Sequence, residues 1–238
     1  MKKIMKKNLL LFLTHDFKPV FLETLKRNDK FYKHLEIIVL FDNTKNYDET
    51  IDKMLNHIKI IKIDKDNTSY DQMGHAMYIT YFKNNRLLIN NYDFFWIIEN
   101  DVYFPEEYDY LIDKHRLFDT DLLVTQSGCR WEFWYHKDEI CGFKNKQNLG
   151  VYAFIMRFSK KFLTVLIHNI DIKYYGYLEA LLPNLCIEEN LSISQFMPCL
   201  CGLLSTDNES PFLKLIERDI LEGTREYLEN KLYHPIKL

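Results

Sequence analysis

The sequence predicts an α/β fold in which a mostly parallel central sheet is flanked by helices. In the first half, short apolar segments alternate with longer amphipathic ones, a rhythm typical of βαβ units. Three of the apolar segments run directly into polar residues. The second half loses the alternation and is expected to be irregular. The chain has 238 residues and no repeat or Pro/Gly-rich linker, so one domain is the simplest organisation, with halves 1–125 and 126–238.

Apolar periodicity predicts nine elements in the first half. The strands are Leu9–Leu13, Glu36–Phe41, Ile58–Ile63, Asp93–Ile98 and Asp121–Thr125. The helices are Phe17–Asn28, Tyr47–His57, Gly74–Asn90 and Pro105–Arg116. Asp93–Ile98 is apolar on both faces, as expected of a parallel strand that helices cover on both sides.

Regular elements are sparser in the second half. Gly150–Phe158 has the composition of a strand, and Ser159 is predicted to cap the helix that follows. A short helix or turn is expected over Gly176–Leu185, ended by Pro183 because proline interrupts helices. Gly128–Cys141 is rich in Trp, Tyr and charge, which indicates a loop or irregular insertion.

Composition excludes several classes of function. The net charge is −3, whereas nucleic-acid binders usually show a basic face, so we expect no nucleic-acid partner. The five cysteines are odd in number and match no common zinc spacing, which favours reduced thiols and a cytoplasmic location. The apolar run Leu9–Leu13 is shorter than a signal peptide or a membrane helix requires. The lysines at positions 2, 3, 6 and 7 indicate at most a weak contact with an anionic membrane surface.

Three polar groups mark one rim of the predicted sheet. They are Thr14–Asp16, Asp42–Thr44 and Glu99–Asp101. In open α/β sheets, ligands bind at the carboxyl ends of the parallel strands. Glu99 and Asp101 lie on the same side of an extended segment, and Mg²⁺ and Mn²⁺ prefer carboxylate oxygens. The alternative is an ordinary turn after a strand, where Asn and Asp are common.

The stretch FFWIIENDVYF, residues 94–104, resembles the Asp-x-Asp region of GT-A-fold glycosyltransferases. Glu99 stands in place of the first Asp, a departure that several members of that fold share. The resemblance implies a GT-A-like, Rossmann-like fold. It also implies that Asp101 is the firmer ligand of Mn²⁺ or Mg²⁺ and that Glu99 lies nearer the ribose or the sugar of a nucleotide-sugar donor.

The last residues of the sequence extend this resemblance. In many GT-A enzymes a late histidine returns to the metal and a nearby basic residue holds the diphosphate, which implies His234 and Lys237. The alternative for a lone histidine is a solvated side chain. The resemblance further implies that Thr14, His15 and Asp42 face the nucleoside, so that residues 1–125 form the donor half.

The acceptor half, residues 126–238, contains the remaining candidates. Glu179 resembles the acid that deprotonates the acceptor hydroxyl in inverting GT-A enzymes, with Glu188 and Glu189 as rivals and a helix-dipole role as the alternative. Trp131 and Trp134 lie in the aromatic loop and would stack on the acceptor. The alternative is that they pack the loop onto the domain.

The resemblance implies a metal-dependent glycosyltransferase, which would be inverting if Glu179 is its base. It would move a sugar from a UDP- or GDP-linked donor to a hydroxyl of a glycan, a lipid-linked saccharide or a protein. A nucleotidyltransferase of related architecture is a second candidate, disfavoured because the segment THDFKPVF lacks glycine. A non-catalytic sugar- or protein-binding module is the third. No G-x-G-x-x-G, Walker or G-x-S-x-G motif is present, which counts against dinucleotide oxidoreductases and P-loop NTPases.

Overall fold

The computed structural model describes residues 6–64, 75–125, 140–144, 146–147, 149–170, 172–204, 210–224 and 229–236. The described strands are β1 Asn8–Thr14, β2 Leu35–Asp42, β3 Lys59–Ile63, β4 Phe94–Glu99, β5 Leu122–Val124, β6 Ile155–Ser159, β7 Ile193–Gln195, β8 Cys201–Leu204 and β9 Leu232–His234. The described helices are α1 Pro19–Asn28, α2 His75–Asn84, α3 Tyr108–Lys114, α4 Lys160–Asn169, α5 Leu178–Glu188 and α6 Pro211–Glu222.

Within the described residues, the central sheet has seven strands in the order β3-β2-β1-β4-β6-β5-β7. Its neighbouring strands are parallel except where β6 runs antiparallel to both β4 and β5. A second, two-stranded sheet pairs β8 with β9 in parallel. The mostly parallel sheet with flanking helices confirms the predicted α/β class.

Strand β1 shows how the sheet is buried on both faces. Its side chains alternate, so Leu9, Leu11 and Leu13 contribute to one core cluster and Leu10 and Phe12 to the other. Helices α2, α4 and α5 cover the first face, and α1 and α3 cover the second. Each fully buried Leu or Phe side chain contributes about 1.5–3 kcal/mol to folding, so the central strands are a rigid support for whatever follows them.

The register confirms that the polar groups share one rim. Leu13 of β1 lies opposite Glu99 of β4, and Thr14 lies opposite Phe41 of β2. The residues that follow these pairs therefore emerge at the same edge. There the backbone N–H of Asn100 donates to the carbonyl of Leu13 at 3.1 Å.

The predicted helix over Tyr47–His57 is wrong, because only a 3-10 turn, Ile51–Lys53, forms there. Carboxylates take the backbone N–H groups that an α-helix would have used. Asp48 accepts from the N–H of Thr50 at 2.9 Å, and Asp29 accepts from three consecutive N–H groups, those of residues 56, 57 and 58. Aspartate competes with helices in this way whenever its side chain reaches nearby amides.

Pro183 does not end helix α5, which continues to Glu188. A proline inside a helix removes the hydrogen bond to the carbonyl four residues earlier, here that of Glu179. The Glu179 carbonyl accepts instead from the N–H of Val151 at 3.0 Å. The interruption is therefore compensated by a bond to another segment.

The predicted strand Gly150–Phe158 is only half right, since β6 begins at Ile155. The preceding residues run beside α5, where the Val151 N–H bonds the Glu179 carbonyl rather than a neighbouring strand. Helix α2 ends at Asn84 and is followed by a 3-10 turn, Arg86–Asn91. The cap at Ser159 is confirmed, because its Oγ accepts from the N–H of Phe162 at 3.0 Å.

Four cysteines in the described residues are free thiols: Cys141, Cys186, Cys199 and Cys201. Cys129 lies outside the described residues. None of the helices in the described part of the chain combines the length and the apolar character that a membrane crossing requires.

His115, at the end of α3, is fully buried and neutral. Its Nδ1 lies 2.9 Å from the carbonyl of Leu111, and its Nε2 accepts from the N–H of Met197 at 3.1 Å. Burial and the charge of Arg157 together lower the pKa of His115 to about 4, although the hydrogen bond to the Leu111 carbonyl acts to raise it. A proton on this ring would break the bond from Met197.

We expect this histidine to make folding sensitive to acid. The pKa of His115 is 6.5 in the unfolded chain and about 4 in the folded one. Its contribution to the free energy of unfolding is therefore complete above pH 6.5 and is lost as the pH falls towards 4. Between pH 7 and pH 5 the loss is about 2 kcal/mol. Glu179 has a raised pKa and acts in the opposite direction, so the measurement is the difference in urea stability between the wild type and His115→Gln at each pH.

His168→Gln, on the exposed side of α4, is the matched control and should keep the wild-type dependence on pH. An identical dependence in His115→Gln would contradict the prediction. An NMR titration of the His115 ring with a midpoint near its ordinary pKa would contradict it as well.

Candidate functional site

Glu99, Asp101 and His234 meet at the carboxyl end of β4. His234 Nε2 lies 3.3 Å from Asp101 Oδ1 and 3.8 Å from Glu99 Oε2. One ligand atom from each residue lies within 4.8 Å of the other two. The side chains are 11–20% exposed, so they are shielded from bulk water and still open on one side.

Backbone hydrogen bonds hold the tail strand against the residues that follow β4. Tyr103 and Tyr233 exchange N–H···O bonds of 2.9 Å in both directions, and the N–H of Ile236 donates to the carbonyl of Asp101 at 2.9 Å. Tyr103, Tyr233 and Ile236 also pack with α6 in a small third core cluster. His234 is thus fixed by the bonds on both sides of it in the chain.

The His234 ring is oriented by Phe154. The two rings stack with centroids 4.0 Å apart and an angle of 11° between their planes. Burial acts to lower the pKa of His234, but hydrogen bonds to Asp101 and Glu99 and their negative charge raise it to about 9. The cluster therefore attracts positive charge.

The donor set fits a divalent cation such as Mn²⁺ or Mg²⁺. Two atoms bound to one cation at about 2.1 Å lie no more than about 4.2 Å apart, and both measured separations from His234 Nε2 meet this limit. Carboxylate oxygens suit hard cations, and imidazole suits Mn²⁺ better than Mg²⁺. Asp101 and His234 are the closer pair, with Glu99 at the edge.

The predicted nucleoside-facing residues differ in their surroundings. Thr14 is buried, and its Oγ accepts from the N–H of Asp16 at 3.1 Å. Asp42 is also buried, and its Oδ1 accepts from the N–H and Oγ of Thr44 at 3.0 and 2.7 Å. These two organise turns of the rim. His15 has a side chain that is 61% exposed and can contact a ligand.

A small cleft joins this rim to Glu99, Asp101 and His234, which we call the metal cluster because their side chains could hold a cation. It measures about 90 Å³, and His15, Asp16 and Asp101 are among the residues that line it. Asn100 Nδ2 donates to Asp16 Oδ1 at 2.8 Å and so ties the loop after β1 to the loop after β4. The structure therefore brings His15, but not the Asp42 carboxylate, to the same cleft as Asp101.

Glu179, the second residue of α5, lies in the same neighbourhood. It is 5% exposed, and Oε1 accepts from the N–H of Ala153 at 3.1 Å. Burial raises the pKa of Glu179 to about 7, and Glu99 raises it as well, while Ala153, Tyr177 and His234 act to lower it. The influence of both Glu99 and His234 places this carboxyl beside the cluster.

The segment before β6 connects Glu179 with the metal cluster. The N–H of Glu99 donates to the carbonyl of Phe154 at 2.9 Å, the Phe154 ring stacks on His234, and the neighbouring Ala153 N–H holds Glu179. A positioning role for Phe154 could not be predicted from the sequence, since an aromatic residue in a strand-like run is usually core. Its role depends on contacts with distant parts of the chain.

The rival acids lie at the other end of α5. Glu188 is nine residues beyond Glu179, or about 14 Å along the helix axis. Glu189 binds the Lys173 ammonium at 2.8 Å and the Tyr174 hydroxyl. Neither shares a contact with the metal cluster among the described residues. Trp131, Trp134 and Lys237 lie outside the described residues.

No protein-family model matches the chain, and no curated protein matches it either. Among solved structures, the crystal structure of mouse xyloside xylosyltransferase 1 in its apo form is similar at 13% identity and a TM-score of 0.48, with 96% of this chain and 97% of that chain covered. A likeness of this size leaves the activity to be inferred from the residues of the site itself.

Proposed function

We propose that this protein is a metal-dependent glycosyltransferase that moves a sugar from a nucleotide-diphosphate sugar to a hydroxyl group. The observation that carries the proposal is the cluster of Glu99, Asp101 and His234 at the carboxyl end of a central parallel strand. This is the edge at which open α/β sheets bind their ligands. The polar cleft beside it, with an exposed His15, offers room for part of a nucleotide.

Each residue of the cluster has a distinct task in this proposal. Asp101 and His234 would hold Mn²⁺ or Mg²⁺, which when bound supplies Lewis-acid stabilisation of the departing diphosphate. Glu99, farther from His234 Nε2 than Asp101 is, would orient the ribose or the sugar. Phe154 keeps the imidazole in place by stacking.

Glu179 would act as the general base of an inverting reaction. Its pKa of about 7 is close to the value at which a base accepts a proton efficiently at neutral pH. The N–H of Ala153 fixes one carboxyl oxygen, and the carboxylate would accept the proton of the acceptor hydroxyl. A retaining enzyme would need no such base.

Several finer assignments stay predictions. These are the UDP or GDP base, the acceptor (a glycan, a lipid-linked saccharide or a protein) and a role in glycan biosynthesis. The nucleoside contacts of Thr14 and Asp42, acceptor stacking on Trp131 and Trp134, and the diphosphate contact of Lys237 also stay predictions. So do the division into donor and acceptor halves, the cytoplasmic location, the absence of a nucleic-acid partner and the weak membrane contact.

Calorimetry with UDP and GDP tests the proposal. We expect one of them to bind only when Mn²⁺ or Mg²⁺ is present, because the diphosphate and the cluster share the cation. His234→Gln should weaken this binding by about 10- to 100-fold or more, the loss that follows when a metal site is perturbed. His168→Gln is the matched control and should bind as the wild type does.

Two outcomes would change the conclusion. If neither nucleotide binds with either cation, and no nucleotide-sugar is hydrolysed, the transferase proposal fails. If a nucleotide-sugar binds through the cation but is neither transferred nor hydrolysed, the protein is a binding module. Release of pyrophosphate from a nucleoside triphosphate and a sugar phosphate would identify a nucleotidyltransferase instead.

A further inference from the structure

A second cavity opens at the amino end of the central sheet, on the side away from Asp101. It measures about 360 Å³ and is lined in part by Asn8 and Phe94, which begin β1 and β4. Since β4 reaches the metal cluster only at its last residue, about 17 Å along the strand separates the two sites. We call this second space the amino-end cavity. Its size is typical of sites for small organic ligands.

Arg157 of β6 lines the amino-end cavity and is 1% exposed. Its Nη1 donates to the carbonyl of His115 at 3.3 Å, and its Nη2 donates to the carbonyl and Oγ of Thr120 at 3.0 and 3.3 Å. Its Nε has no hydrogen-bond partner among the described residues. A guanidinium has five N–H groups to satisfy, so this one is incompletely bonded.

The positive charge of Arg157 is also uncompensated locally. Within the described residues no carboxylate forms an ion pair with it, and Asp119, which influences it through space, is bound by Lys6. Burial lowers the pKa of Arg157 to about 10, so it remains a cation at neutral pH. A buried charge without a partner is costly, and an anion placed in the cavity would relieve that cost.

The other charges around the cavity are already paired. The pairs are Lys6 with Asp119 at 2.7 Å, His34 with Asp109 at 2.8 Å and Arg116 with Asp113 at 2.9 Å. The two carboxylates that line the cavity therefore each face a basic side chain, and among the described residues Arg157 is the cation left for a ligand. This arrangement favours an anion over a cation as the occupant.

The walls of the cavity are mostly apolar and partly flat. Phe94 lies under the Arg157 guanidinium, with Cζ 4.0 Å from the ring centroid, and the Trp96 ring lies 6.0 Å away. Ile112 of α3 adds aliphatic surface. The Trp96 Nε1–H already donates to Asn8 Oδ1 at 3.1 Å, so the indole offers its apolar surface rather than its N–H.

We propose that the amino-end cavity binds a small amphipathic anion, a carboxylate carried on a flat apolar body. The carboxylate lies beside Arg157, and the apolar body lies against Phe94, Trp96 and Ile112. This site is separate from the metal cluster and does not depend on it. The cavity is too small for a macromolecular chain, and Arg157, its one cation without an ion pair in the described part of the chain, selects one negative charge.

Calorimetry with naphthalene-2-carboxylate and its neutral analogue naphthalene-2-carboxamide tests the proposal. We expect the carboxylate to bind the wild type at least about 10-fold more tightly than the amide, because hydrogen bonds to a charged group are the stronger ones. Arg157→Met should remove this preference, and Arg157→Lys should keep part of it. Arg218→Met, on α6, is the matched control and should keep all of it.

Two further measurements locate the site and guard against a folding defect. The Trp96 indole N–H resonance, assigned with Trp96→Phe, should shift when the carboxylate is added. Asp101→Asn should bind the carboxylate as the wild type does. If Arg157→Met does not fold, Arg116→Glu replaces it, because the Arg116 side chain is 60% exposed. This variant should bind the carboxylate about 3-fold more weakly through charge repulsion and should bind the amide with unchanged affinity.

Equal affinities of the acid and the amide for the wild type would overturn the proposal. So would the absence of carboxylate binding at millimolar concentration. Loss of carboxylate binding in Asp101→Asn would show that the ligand occupies the metal cluster instead. A failure of nucleotide binding at the metal cluster would leave this proposal untouched, since the two sites share no residue.

Discussion

Asp101→Asn is expected to lower sugar transfer by about 10³-fold or more, equivalent to at least about 4 kcal/mol of transition-state stabilisation. Asp101 Oδ1 lies 3.3 Å from His234 Nε2, closer than the Glu99 carboxylate does. The backbone carbonyl of Asp101 also accepts a hydrogen bond from the N–H of Ile236 in the tail. The amide keeps the shape and the backbone bond but removes the negative charge. Cation-dependent nucleotide binding should disappear with the activity.

The matched control is Asp113→Asn, the same chemical change at a side chain that is 57% exposed and paired with Arg116. It should leave transfer and nucleotide binding unchanged. Transfer assays with saturating Mn²⁺ and a donor found by calorimetry provide the measurement. A fully active Asp101→Asn enzyme would show that the cluster is a structural turn rather than a cation site.

Glu179→Gln is expected to lower kcat by about 10²- to 10⁴-fold, the usual contribution of a positioned general base. The Gln side-chain carbonyl can still accept from the N–H of Ala153, which the Glu179 Oε1 does at 3.1 Å. The variant should therefore fold and should bind Mn²⁺ and the nucleotide with unchanged affinity. A drop in kcat without a change in nucleotide binding separates a base from a donor-binding residue.

Glu189→Gln is the control, at a carboxylate that directly follows the same helix and already binds Lys173. It should keep wild-type kcat. If Glu179→Gln also keeps wild-type kcat, the inverting assignment is wrong. The stereochemistry at the transferred sugar, followed by NMR, would then be expected to show retention.

The first half of the fold was predictable because its signals are local. Each central strand is a short apolar run, and each of the three polar rim groups follows its run directly, so Glu99 and Asp101 could be placed at a ligand-binding edge without coordinates. The failures came where side chains bond to the backbone of another segment. Asp29 removes the amides of the last two residues of the predicted helix at Tyr47–His57 in this way.

The site itself was predictable only in part. The resemblance to GT-A enzymes predicted that Asp101 and His234 lie together. No periodicity in the sequence predicted the pairing of Tyr103 with Tyr233 that brings Asp101 and His234 together. Pro183 frees the backbone carbonyl of Glu179, which accepts a hydrogen bond from the N–H of Val151. This bond holds the segment with Ala153 and Phe154 beside Glu179. Such contacts connect residues far apart in the chain and leave no local pattern.

The pairing of the tail strand with Tyr103 has a consequence for the order of folding. Asp101 and His234 are 133 positions apart (234 minus 101), and contacts of such long separation close large loops and form slowly. A chain that has completed its central sheet but not docked β9 has its carboxylates in place and lacks the imidazole. Acquisition of cation affinity during refolding would therefore report the last long-range step, which circular dichroism of the sheet and helices would miss.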